Sequence, residues 1–217
     1  MDNCALICII IQMQLDRPFR VVTPTLDGDV LAVLAVADAG FTAPVVHRLI
    51  GRHSEEGVRK ALRRLVEQGI VTSERVGRAD LYRFNSDHLA AGPVVELASL
   101  FSLFLDRLRT AVAGWEQQPE LVMLFGSAAH GSMSPGSDID VFVVAADDRA
   151  DDPIWRHQLQ ALEQQATSWT GNDTCVLEYS LSDLGRGPDA VVEEIRNTGI
   201  HIAGDRAVLR SAAKVRS

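Results

Sequence analysis

The chain has 217 residues, of which 47% are hydrophobic and 23% charged, with a formal net charge of -8. That composition is ordinary for a soluble globular protein and long enough for one large domain or two small ones. The acid excess argues against a protein that coats nucleic acid, and no apolar window near the start approaches the roughly 20 residues needed to cross a bilayer.

The first 26 residues read as a separate N-terminal segment. Its apolar window, Ala5 to Ile11, is either an extra strand or a stretch that precedes a second start at Met13. With Asp2 and no Lys or Arg at the extreme N-terminus it does not resemble a secretory leader, so a cytoplasmic protein with no membrane partner is expected. Cys4, Cys8 and Cys175 are odd in number and have no zinc-like spacing, which reads as reduced thiols.

Residues 27 to 86 carry three helical patterns and a hairpin. Asp27 to Ala39 has an acidic start and a periodic apolar body ended by Gly40. A second helix follows Thr42, whose hydroxyl is placed to cap it, with Pro44 in the first turn and Gly51 at the end. Ser54, Glu55, Glu56 and Gly57 open a third helix, with Val58, Leu62, Leu65 and Val66 at helical spacing and Gly69 after its end. Ile70 to Ser73 and Asp80 to Phe84 alternate as strands around a basic tip.

This stretch resembles the winged helix-turn-helix domains of bacterial transcription regulators, above all in GVRKALRRLVEQGIVTSERVGRADLYRFN. The resemblance implies DNA binding through the third helix and the wing, with Arg59, Lys60, Arg63, Arg75 and Arg78 facing DNA. Charge distribution agrees in sign. His47 to Arg83 holds nine Arg and Lys against five acids, whereas Leu89 to Ser217 holds ten against eighteen. A basic helix face is also compatible with a solvated surface or a protein partner.

Residues 87 to 117 read as a connecting helix, apolar on more than one face and therefore a candidate homodimer contact. EQQPE, at 116 to 120, breaks the pattern as a linker. From residue 118 onward the pattern changes. Leu121 to Phe125 is a buried-strand candidate that runs straight into Gly126 and Ser127, where glycine lets the backbone approach a ligand and a helix start attracts phosphate.

Eleven positions after Ser127 comes DIDVFVV. In a strand, residues i and i+2 share a face, so Asp138 and Asp140 project together. Two adjacent carboxylates repel unless a divalent cation sits between them, and hard oxygen donors select Mg²⁺ or Mn²⁺. Glu178 is the only acid inside the next strand-like run, CVLEYSL, and is the candidate third metal ligand and base. Ser137, beside the pair, joins Gly126 and Ser127 as a nucleotide-side candidate. GSAAHGS lacks the Lys of a P-loop, and Trp115, Trp155 and Trp169 read as packing residues.

The Gly-Ser turn, the spacer and the Asp-apolar-Asp strand resemble the nucleotidyltransferase superfamily that includes DNA polymerase beta, and particularly its minimal, antitoxin-like members. The resemblance implies an α+β fold with a mixed sheet behind the winged helix and connecting helix. It also implies metal-dependent transfer of NMP from an NTP such as ATP to a hydroxyl. Gly126 and Ser127 would hold the triphosphate, and Asp138 and Asp140 the metal. Acceptors compatible with the resemblance include an aminoglycoside, tRNA and a protein side chain, among them a cognate toxin. Many minimal members have Arg where this chain has His130, which implies a weaker grip on phosphate and slow or absent turnover. The alternative function is a DNA-binding regulator or antitoxin-like repressor whose transferase fold serves as a sensor or partner-binding module.

Overall fold

Local chemistry sets the helix ends in the first half of the chain. The computed structural model describes residues 12–37, 39–149, 151–184 and 189–211, so the segment Ala5 to Ile11, with Cys4 and Cys8, lies outside the described residues. After a short 3-10 turn at Pro18–Val21, helix α1 (Leu26–Ala35) carries Asp27 and Asp29 in its first turn. Acids there complement the exposed N–H groups and the positive helix end. Helix α2 (Ala43–Ile50) accommodates Pro44 in its first turn and closes on Gly51, at φ +69°, whose N–H donates to the His47 carbonyl. Thr42 stands at the cap position, yet its hydroxyl makes no capping bond, contrary to the sequence expectation. In helix α3 (Glu55–Glu67), Ser54 Oγ does accept from the Gly57 N–H, at 3.1 Å.

Val58, Ala61, Leu62 and Leu65 form the buried stripe of α3, and they pack with Val30, Leu34, Val46, Ile70, Val71 and Tyr82 in one core. Strands β1 (Val71–Val76) and β2 (Ala79–Phe84) pair antiparallel with Val76 opposite Ala79. The hairpin is therefore longer than the sequence pattern suggested, and its turn is only Gly77 and Arg78. Phe41 exchanges two backbone hydrogen bonds with Tyr82, at 2.9 and 2.8 Å, adding a bridge on the far side of β2.

Where a connecting helix from 87 to 117 was expected, the structure has two: α4 (Ala91–Ala98) and α5 (Leu100–Ala113). Ser99 separates them, and its hydroxyl donates to the Val95 carbonyl at 2.8 Å. The Val95 carbonyl accepts from the Ser99 N–H as well, at 3.0 Å. The chain divides into two compact units within α5: Arg17–Leu103 forms one, and Phe104 onward, joined by the described residues up to Asp16, forms the other.

The second unit is built on a four-stranded mixed sheet, ordered β5-β4-β3-β6. Along the chain come β3 (Leu121–Phe125), α6 (Gly126–His130), β4 (Ile139–Ala145), α7 (Pro153–Thr170), β5 (Thr174–Ser180), α8 (Leu181–Leu184), α9 (Ala190–Thr198), β6 (Ile200–Gly204) and α10 (Val208–Ser211). β3 runs antiparallel to β4 and β6, and β4 runs parallel to β5. The near-continuous burial of β3 and β4 matches strands covered on both faces. Leu121, Met123, Phe142 and Val144 pack against Leu184, Val192, Ile195 and Leu209 on one side. Trp155, which is fully buried on α7, stacks edge-to-face on Trp115. Among the described residues no helix is long and apolar enough to cross a membrane.

The stretch 116–120 is not a free linker. The buried Gln158 side chain accepts from the N–H groups of Glu116 and Gln117, at 2.9 and 3.1 Å, and donates to the Gln117 carbonyl at 3.1 Å. A buried amide that finds three backbone partners ties this segment to α7. At the other end of the chain Leu15 is 1% exposed in the same unit. Leu15→Ala should lower unfolding free energy by about 2 to 5 kcal/mol, whereas Leu89→Ala, at a side chain 97% exposed, should stay within about 0.5 kcal/mol of wild type. Urea denaturation midpoints measure both.

Candidate active site

β3 ends at Phe125, directly opposite Asp140 in the antiparallel register. The chain then turns at Gly126, with φ +66°, into α6. A Cβ on Gly126 would collide with Asp140 Oδ2, and would also sit 3.2 Å from its Cγ. Glycine is therefore needed twice over, for its left-handed conformation and for the approach of its backbone to a carboxylate. Ser127 follows, and its carbonyl closes α6 by accepting from the N–H groups of Gly131 and Ser132.

Asp138 lies one residue before β4 and is exposed, whereas Asp140 is half-buried in the strand. Burial pushes the Asp140 carboxyl above the ordinary aspartate range, and the charges of Asp138 and then Glu194 push it further. The pair has no cationic side chain as an ion-pair partner among the described residues. It is an uncompensated anionic cradle beside a glycine turn. Among the described residues, no group of three or more His, Cys, Asp and Glu side chains is assembled to hold a metal. Two carboxylates nevertheless fit Mg²⁺, which is commonly held by one or two protein carboxylates with water and substrate phosphates completing the octahedron.

The structure does not bring Glu178 to this cradle. In the parallel register Asp140 aligns with Cys175, Phe142 with Leu177 and Val143 with Glu178. Glu178 therefore shares a face with Val143, and Asp140 projects from the opposite face. Its oxygens are also engaged: Oε1 accepts from Trp155 Nε1 at 2.7 Å and Oε2 from Arg156 Nη1 at 2.8 Å. The expectation of a third ligand at Glu178 is corrected accordingly.

The residue that does face Asp140 across β5 is Cys175, a free, exposed thiol. Desolvation and then the charges of Asp138 and Asp140 push its pKa up, so it stays protonated. Glu194 on α9 is the acid that sequence reasoning passed over. Its charge reaches Asp140, and its Oε1 lies 3.9 Å from His130 Nε2. Ser137 uses its hydroxyl within the loop, accepting from the Ser134 N–H at 2.9 Å and pairing with Ser134 Oγ at 3.1 Å.

In the other unit, three of the five cations expected to face DNA are paired with acids. Arg59 bonds Glu55 at 2.6 Å, Arg63 lies 3.5 Å from Glu56, and Arg75 bonds Asp80 at 3.0 Å. Lys60 and Arg78 are exposed, with no acidic partner among the described residues.

Residues 111–206, less than half of the chain, match the family model described as polymerase beta, nucleotidyltransferase. That segment is thus similar to a nucleotidyltransferase domain, and it contains the glycine turn and both aspartates. Two solved structures are also similar to the chain. One is a toxin-antitoxin crystal structure with AMP-PNP, 23% identical, covering 50% of this chain and 80% of that one at a TM-score of 0.38. The other, a toxin-antitoxin MntA-HpeT mutant, is 21% identical with the same coverages and TM-score. No curated protein matches the chain significantly.

The raised Asp140 pKa has a definite sign. The folded state holds the Asp140 proton more tightly than the unfolded chain, so this group's contribution to stability is greatest at acid pH. It declines as pH rises from the ordinary aspartate value, 3.8, through the raised folded value. In chelator at neutral pH, Asp140→Asn should melt above wild type, and the difference should shrink toward pH 4. Gly126→Ala should cost about 1 to 2 kcal/mol for the left-handed backbone alone, and its melts should lose any response to Mg²⁺ because Asp140 is displaced.

Proposed function

We propose that the unit formed by Phe104 onward together with the residues up to Asp16 is a Mg²⁺- or Mn²⁺-dependent nucleotidyltransferase that moves NMP from an NTP to a hydroxyl. The observation that carries this reading is the Asp138–Asp140 pair held against the Gly126 turn. Asp138 and Asp140 would hold the cation, which when bound neutralises triphosphate charge and lowers the pKa of the attacking hydroxyl. Gly126 and Ser127 lie where backbone can approach phosphate. In the overall reaction the acceptor oxygen forms a bond to the α-phosphorus, the bond to the bridging oxygen breaks, and pyrophosphate leaves. The acceptor proton passes to solvent. No carboxylate of this chain beyond the pair is needed to hold the metal, which fits the position of Glu178 on the far face. An acceptor on a partner protein accords with the toxin-antitoxin descriptions of the two solved structures.

Purified protein incubated with labelled NTPs, Mg²⁺ and cell lysate should transfer label. Loss of several kcal/mol of charge stabilisation in Asp138→Ala/Asp140→Ala should reduce transfer by roughly 10²-fold or more. Unchanged labelling in the double variant would overturn the reading.

The Arg17–Leu103 unit supports a second reading that coexists with the first: a winged-helix module that binds DNA. Three helices, a tight hairpin, and the exposed Lys60 and Arg78 favour it. Because Arg59, Arg63 and Arg75 each carry an acidic neighbour, the net basic surface is smaller than the sequence count implies, and phosphate contacts should be few. Affinity should fall linearly with log salt, and Lys60→Ala and Arg78→Ala should each reduce that slope by about 1. Gel shifts on DNA from upstream of the gene, across a salt series, test this. Identical slopes in wild type and variants would remove the assignment.

A further inference from the structure

Asn172 is the most deeply buried polar residue of those described, with 0% exposure, and it lies in the turn between α7 and β5. Its Nδ2 donates to the Ser137 carbonyl at 2.8 Å, and its Oδ1 accepts from the Met13 N–H at 2.9 Å. The two partners fix the amide's orientation, because a carbonyl can only accept and an N–H can only donate. Its own N–H donates to Thr170 Oγ1 at 3.2 Å, and the Thr170 carbonyl takes a second contact from Met13 N–H at 3.2 Å. The next carbonyl along, that of Asp173, accepts from the Ile139 N–H at 2.8 Å. Ser137 and Ile139 are the two peptide neighbours of Asp138. Both are thus bonded by consecutive residues of one turn, so the backbone that carries the exposed Asp138 side chain is tied on both sides.

Residues 13 to 15 complete the clamp. Gln14 Nε2 donates to the Met133 carbonyl at 2.7 Å, and the Leu15 N–H meets Met133 Sδ at 3.3 Å. Gln14, Leu15 and Met133 are all buried. The spacer between Ser127 and Asp138, a loop by composition, is therefore held from beneath at Met133 and at Ser137.

From this arrangement we infer that Asn172 is a positioning residue for Asp138, and that the segment Met13–Leu15 acts with it as a strap that presets the two-carboxylate site before a cation arrives. The inference rests on the metal-holding role proposed for the pair, and not on catalytic turnover. Asn172→Asp keeps an acceptor for Met13 but sets a carboxylate against the Ser137 carbonyl, where a donor is required. Gln14→Ala releases Met133 and leaves Asn172 intact.

Two readouts apply: Mn²⁺ affinity by electron paramagnetic resonance, and hydrogen exchange at the Ile139 amide in the metal-free protein. Asn172→Asp should weaken Mn²⁺ binding by about 10- to 100-fold, the usual range for groups that orient a ligand from behind, and should speed exchange at Ile139. Gln14→Ala should do the same to a smaller degree, and it decides the matter should Asn172→Asp fail to fold. Leu162→Ala, in the α7 core, serves as the control: it should lower Tm and leave Mn²⁺ affinity unchanged. Equal Mn²⁺ affinity in wild type and both strap variants overturns the inference, as does a wild type that binds no Mn²⁺. A wild type that binds Mn²⁺ and loses it in the variants, yet labels no acceptor, upholds the inference and defeats the proposed function instead.

Discussion

The half-burial of the Asp140 carboxylate, with the charge of Asp138 close by, is the constraint on which the candidate site of the second unit depends. Two like charges, the half-buried Asp140 in β4 and the exposed Asp138 just before it, oppose each other in the metal-free fold. The surrounding residues do nothing to neutralise them: the backbone of Gly126 presses against Asp140, Cys175 stands across from it as a protonated thiol, and Glu194 adds a further negative charge. The arrangement holds them unpaired, on a backbone tied at both neighbours of Asp138 by the Asn172 side chain and the Asp173 carbonyl.

Much of this was legible from spacing. The Asp-Ile-Asp spacing brings the charge of Asp138 to bear on Asp140, although Asp138 stands just before β4, and Gly126 followed by Ser127 marks the turn that meets Asp140. Glu178 was misread because a single strand's sequence does not state its register with the next strand. A shift of one residue between β4 and β5 would have placed Glu178 on the Asp140 face; the actual alignment, Val143 with Glu178, puts it under α7 with Trp155 and Arg156. Asn172 carried a faint signal, an Asn just after the glycine that ends a long helix. Its partners lie 35 and 159 positions away, beyond the reach of any local pattern.

The first unit shows the same division between local and distant information. Helix ends at Ser54 and Gly51 follow from residues a few positions apart, and those expectations held. The expected connecting helix is split at Ser99, whose hydroxyl bonds back to the Val95 carbonyl, a feature that apolar periodicity does not record. Charge counting was the weaker guide. Nine basic residues in one stretch suggested a strong positive face, yet Glu55 pairs with Arg59 one helical turn later and Asp80 pairs with Arg75 across the hairpin. Those neighbours lie at i,i+4 and cross-strand positions, where opposite charges meet by geometry. The field available to a polyanion is set by what remains after those pairs form.

Unit boundaries and motif boundaries differ for a related physical reason. The family match starts at residue 111 and the glycine turn at 126, so a reader of motifs would cut the chain near 118. Two sets of buried contacts cross that cut. Phe104, 4% exposed, meets the Trp169 ring edge-on within the unit, and Met13 to Leu15 satisfy the Asn172 Oδ1 and cover Met133. A fragment starting at 118 would leave a buried amide oxygen without its donor and expose apolar surface along α7 and the spacer loop. Unpaired buried polar groups cost about 1 to 3 kcal/mol each, a large share of the stability of a domain this size. The strap is contributed by residues that precede the first unit in the chain. The transferase-like unit is therefore discontinuous in sequence, with the helical unit inserted between its strap and its sheet.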